Sequence, residues 1–182
     1  MVRLYLVRHG HAAATFAEAR DPGLDPAGRA QAEEVADRLA PLGPRPIVAS
    51  PLRRTRETAT PLELRWRRTA RIEPAVAEIP SPVDDLTKRG EWLHGVMAGR
   101  WAELSPDLQT WRRGVVDALR AIAEPSVVVS HSIAINVAVG HATGDDRVVS
   151  FAPDHCSVTV LEVEDGRFRL VERGGEAATR VL

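Results

Sequence analysis

With 182 residues, 44% hydrophobic and 27% charged, the chain has enough material for one sizeable core, so a single domain spanning 1–182 is expected. A formal net charge of -1, with both signs interspersed, excludes the broad basic surface of a nucleic-acid or membrane-surface binder, and no apolar run approaches the ~18 residues of a membrane span. No basic-then-apolar leader precedes the first strand-like run, and a single cysteine, Cys156, cannot form an internal disulfide, so a cytoplasmic location is expected.

Val2, Leu4 and Leu6 alternate with Arg3 and Tyr5, and Val7 makes the end of the run apolar on both faces, as in a strand entering a covered sheet. Arg8, His9 and Gly10 follow where the chain must turn, with Gly10 read as the source of conformational freedom. Residues 11–23 form a polar, alanine-rich loop expected to border a site. Asp25-Pro26 reads as N-cap and first helical residue, and Ala32, Val35, Ala36 and Leu39 recur at helical spacing. Ile47-Val48-Ala49 is a short buried strand, and Ser50-Pro51 repeats the cap signal for a helix predicted to stop at Pro61.

Strand, helix, strand, helix is the rhythm of a parallel sheet. Ala70–Ile72 and Ala75–Ile79 are strand-like, and about 80–111 is an excursion outside the sheet, punctuated by Pro80, Pro82, Gly90, Gly95 and Gly99. Ser105-Pro106 caps a helix striped by Leu108, Trp111, Val115, Leu119 and Ile122. Ser126–Ser130 is the clearest buried strand; a helix apolar nearly all round follows it from Ile133 and ends at Gly144. Asp165-Gly166 between two strand-like runs signals a type I′ hairpin. The expected architecture is a three-layer α/β/α domain with a mostly parallel central sheet and a C-terminal β-hairpin.

A lone Arg-His pair at a strand end ordinarily just meets solvent. Phosphoryl transfer gives such a pair a use, because it needs a nucleophile beside fixed cations that neutralise the phosphoryl oxygens. Neutral imidazole can attack, and its unperturbed pKa of about 6.5 makes that form available near neutrality. Leu6-Val7-Arg8-His9-Gly10 resembles the signature of the histidine phosphatase superfamily, which includes phosphoglycerate mutases and in which the histidine is phosphorylated during turnover. Further parts of that pattern recur in order. Ser50-Pro51-Leu52-Arg53-Arg54 is similar to the family's second arginine motif, which makes Arg54 the second phosphate clamp; Arg53 and Arg56 read equally as surface. Val76-Ala77-Glu78 resembles the family's proton-donating glutamate in its Leu-x-Glu context, with Asp84, Asp85 and Glu91 as substitutes. Val127-Val128-Val129-Ser130-His131 matches the second histidine, with Ser132 where the family usually has glycine.

The resemblance thus implies catalytic His9, Glu78 and His131, phosphate-binding Arg8, Arg54 and His131, and additional contacts from Thr15 and Ser132. The departures are His11, where the family often has glutamate, and Thr15, near where it has a phosphate-holding asparagine; His155 and Asn136 have adequate structural explanations. It implies a phosphatase that hydrolyses phosphomonoesters without metal or cofactor, acting on a small phosphorylated substrate or a phosphoprotein. A phosphohistidine-protein phosphatase, a mutase, and a binding module without turnover are the alternatives. Nucleotide-loop fingerprints are absent, His9-x-His11 offers only half a metal site, and Cys156 lacks the arginine of a cysteine phosphatase. Oligomeric state is not legible. In the excursion, Trp92 and Trp101 either cover a leaving group or pin the segment to the core.

Overall fold

The computed structural model describes residues 1–178. Strands β1 (Val2–Arg8), β2 (Ile47–Ala49), β3 (Arg71–Ile72), β4 (Ser126–Ser130), β5 (Val158–Glu164) and β6 (Arg167–Glu172) form one sheet in the order β3-β2-β4-β1-β5-β6. The pairs β3/β2, β2/β4 and β4/β1 are parallel, whereas β5 runs antiparallel to β1 and hairpins into β6. Asp165 and Gly166 both have positive φ, 49° and 74°, as the type I′ turn requires.

Alternation along the strands sends side chains into two cores. Val7, Ile47, Ala49, Val127 and Val129 face α1 (Pro26–Leu39) and α2 (Arg53–Trp66), burying Val35, Leu39, Leu62 and Trp66. Leu4, Leu6, Val48 and Val128 face the other side, where α3 (Leu86–Met97), α4 (Pro106–Arg120) and α5 (Ser132–Thr143) pack. Helix, sheet and helix layers result. The α5 sequence has no polar face because Ile133 through Gly140 are all buried, and Gly144 ends it in the left-handed conformation at φ 73°.

Three local expectations are corrected. Helix α2 runs through Pro61 to Trp66. A mid-helix proline costs about 3 kcal/mol, but stopping there would expose Leu62 and Trp66, each contributing roughly 1.5–3 kcal/mol when buried. Its start is also later than the Ser50-Pro51 signal: Leu52 is the N-cap, while the Ser50 hydroxyl accepts from Leu52 N at 3.2 Å. Residues Pro74–Val76 form a 3-10 turn instead of a strand, because Pro74 sits at its first position and Glu73 caps it through Ala75 N.

The excursion holds α3, capped by Asp85, and a short turn bearing Trp101. Trp101 is 1% exposed and stacks on Trp111 with ring centroids 6.0 Å apart; Trp92 packs on the same core. The tryptophans pin the segment. Among the described residues no helix is long and apolar enough to cross a membrane.

Candidate active site

The carboxyl ends of β1, β2 and β4 open onto one cavity of about 280 Å³, as expected where parallel strands end at a crevice. Arg8, His9, Arg54 and Glu78 line it, together with Thr15 and Ser132. Residues from five separate segments therefore meet.

His9 leaves β1 with its N–H donated to Ser130 O at 3.0 Å, which locks the strand end to β4. Its ring Nδ1 lies 2.7 Å from the Gly10 carbonyl. A carbonyl only accepts, so Nδ1 carries the proton and Nε2 carries the lone pair. Burial, then Arg54 and then Arg8, hold the His9 pKa well below its ordinary 6.5. Neutral imidazole is the resting form.

Gly10 is needed for space and not for a turn, since it is not among the positive-φ glycines. A Cβ on Gly10 would sit 2.6 Å from Gly28 O, and one on Gly28 would collide with His11 O. The first turn of α1 thus lies directly beneath the Arg8–His11 segment. Asp25 caps that turn through Gly28 N at 2.7 Å, and Gly10 N donates to Thr58 Oγ1 on α2 at 3.0 Å.

Arg54, the second residue of α2, is buried and its Nε lies 3.2 Å from His9 Nε2. Arg8 is buried too, with Nη1 bonded to Pro153 O at 2.8 Å and Nε without a protein partner among the described residues. Arg53 and Arg56 are exposed and bond to Glu57 and Pro51, so they are surface residues. Two helix N-termini, of α2 and α5, add their positive ends near the two arginines.

Glu78 follows the 3-10 turn, which Ser130 Oγ ties to β4 by donating to Val76 O at 2.7 Å. Its carboxyl accepts from Ile79 N at 3.0 Å and from Ile133 N at 3.4 Å. Burial raises its pKa, and these backbone donors and the two arginines only partly oppose the rise. The substitutes are elsewhere: Asp85 caps α3, Asp84 is exposed beside Arg20, and none of Asp84, Asp85 or Glu91 lines the cavity.

His131 is fully buried and stands behind His9, with ring centroids 5.2 Å apart; it does not line the cavity. Ser50 Oγ accepts from Leu52 N and lies 2.7 Å from His131 Nε2, a contact in which the hydroxyl can either donate or accept. His131 Nδ1 has no protein partner among the described residues. Ser50 was legible only as a helix cap.

Thr15 is exposed on the wall, its N–H bonded to Glu18. His11 is bonded through Nδ1 to Asp25 at 2.6 Å, and His155 reaches the wall with its ring 5.9 Å from His9. No sequence pattern marked His155; it is positioned by the tight Asp154–Cys156 turn, in which Cys156 has φ 56°. Asn136 is structural, its amide donating to Phe151 O and accepting from Ser150 N and Phe151 N. Among the described residues no three His, Cys, Asp or Glu side chains are grouped to hold a metal ion.

Known proteins resemble this chain over nearly its whole length. It is 30% identical over 163 residues to the "Probable phosphoglycerate mutase GpmB" of Erwinia tasmaniensis, covering 79% of this chain and 76% of that protein. The fold matches a mycobacterial glucosyl-3-phosphoglycerate phosphatase in complex with VO3, with TM-score 0.71 and 24% identity over 93% of this chain and 97% of that one. It also matches a phosphoserine phosphatase of Entamoeba histolytica in complex with 3-phosphoglyceric acid, with TM-score 0.77 and 20% identity over 98% of each chain. The model of the histidine phosphatase superfamily (branch 1) matches residues 4–174, and the chain belongs to that family.

Proposed function

We propose that the chain is a phosphatase that hydrolyses small phosphomonoesters through a phosphohistidine at His9. One observation carries this reading: a neutral imidazole whose proton is fixed on Nδ1 presents the Nε2 lone pair among buried arginines, in one cavity with a carboxyl group whose pKa burial raises.

His9 Nε2 attacks phosphorus, the P–N bond forms and the P–O ester bond breaks as Glu78 gives its proton to the departing oxygen. Arg8 and Arg54 stabilise the charge on the equatorial oxygens. His131 packs against the back of the His9 ring and holds it in place for attack. Glu78, now a carboxylate, takes a proton from water as the water oxygen attacks phosphorus. The P–N bond breaks and both His9 and Glu78 return to their starting states. No metal is needed, because the two guanidiniums supply the positive charge.

A small substrate suits a cavity of about 280 Å³. Hydrolysis is favoured over mutase action because Arg20, the remaining arginine on the wall among the described residues, bonds through Nη2 to Asp84 O at 2.6 Å. Hydrolysis of p-nitrophenyl phosphate with EDTA present, lost in His9→Ala, is the expected result. Hydrolysis that persists in His9→Ala contradicts the assignment.

A further inference from the structure

We infer that the substrate's leaving group carries an apolar body, alkyl or aryl, which lies in a groove between the 11–23 loop and α3; this rests on the phosphatase reading above. The groove measures about 500 Å³ and borders the catalytic cavity, with Thr15, Phe16, Leu93 and Met97 lining both. A leaving group that extends past the cavity therefore meets an apolar surface.

The groove is held open by three ties between its walls. The Arg89 guanidinium stacks 3.9 Å from the centre of the Phe16 ring, and Arg20 bonds to Asp84 O just before α3. Gly90 sits so close to the loop that a Cβ there would be 2.7 Å from Ala17 Cβ. The loop is thereby seated on the helix at one line and parted from it beside that line, where Phe16, Leu93 and Met97 form the floor.

The lining chemistry selects against a second anion. Among the described residues no lysine or arginine lines the groove, and Glu91 stands at its rim. A carboxylate, as in phosphoserine or phosphoglycerate, would meet the Glu91 charge at the groove, where the Arg89 guanidinium is already engaged on the Phe16 ring. A hydrocarbon chain would leave water for an apolar floor, and each methylene so buried adds about two- to fourfold to kcat/KM.

The experiment is a series of ethyl, butyl, hexyl and octyl phosphate, kept below their micellar concentrations, with phosphoserine and 3-phosphoglycerate alongside. Wild-type kcat/KM should rise more than about fiftyfold from ethyl to octyl and should exceed that for either carboxylated ester. Thr87→Trp and His94→Trp fill the groove from α3 at positions that do not line the catalytic cavity, and each should cut the octyl-to-ethyl ratio at least about tenfold. Either variant suffices if the other fails to fold. Hydrolysis with a flat chain-length series, a ratio unchanged in a folded variant, or preference for the carboxylated esters overturns the groove assignment alone. Failure to hydrolyse any ester overturns the phosphatase reading beneath it.

Discussion

Arg54 donates its Nε–H to His9 Nε2 across 3.2 Å, so in the proposed mechanism the attacking lone pair is held by the group that clamps the phosphoryl oxygens. A bound phosphate has to separate the two, taking the guanidinium for its oxygens and leaving Nε2 facing phosphorus. The same contact keeps His9 unprotonated. Burial is the larger cause of its depressed pKa, and Arg54 comes next.

Arg54→Ala should accordingly lower kcat/KM by about 10²–10³-fold and move the acid limb of its pH profile upward, toward the ordinary histidine value. Arg54→Lys restores charge without the planar fork and should recover only part of the rate. An acid limb that stays in place in Arg54→Ala would separate Arg54 from the ionisation of His9.

Glu78 is assigned as the proton donor, and a donor matters most when the leaving oxygen is basic. Glu78→Gln should slow an alkyl phosphate about 10²–10⁴-fold while slowing p-nitrophenyl phosphate less than about tenfold. The wild-type alkyl rate should fall as pH rises through the raised Glu78 pKa, once ionisation of the ester phosphate near pH 6 is allowed for. Equal losses on both esters would make Glu78 a structural residue.

Two buried neutral histidines make the fold sensitive to acid. His9 and His131 titrate well below 6.5 when folded and near 6.5 when unfolded, so below about pH 6.5 the unfolded chain binds more protons and stability falls with pH. Glu78 has the opposite sign: its raised folded pKa contributes stability at low pH that is lost as pH rises through the folded value. His9→Ala removes one of the two histidines and should reduce the fall in Tm between pH 7.5 and 5.5, by up to about 1.4 kcal/mol per pH unit in stability. An identical pH slope in His9→Ala and wild type would show that His9 is not buried neutral.

Arg8, His9 and Arg54 were legible because each belongs to a short contiguous motif at a strand end, where sequence order and spatial order coincide. The α1 cap and the type I′ turn were legible for the same reason: Asp25 bonds Gly28 three residues on, and Asp165-Gly166 is complete within two. Glu78 was found by its motif although its strand-like setting proved to be a 3-10 turn, since what positions it is Ser130, 52 residues away along the chain from Glu78. Ser50 and His155 were missed as site residues because their partners are distant: Ser50 meets His131 through parallel pairing of β2 with β4. Pro61 misled for a related reason, as the burial of Trp66 against α1 outweighs a local signal that ends most helices.

The central claim is a covalent bond between His9 and phosphorus. Wild-type protein mixed with a phosphomonoester, quenched in alkali within the first turnover and digested, should yield one phosphopeptide containing His9, stable in base and labile in acid, that is absent from His9→Ala. Turnover with no phosphorylated His9 peptide, or with the phosphoryl group on another residue, would contradict the account.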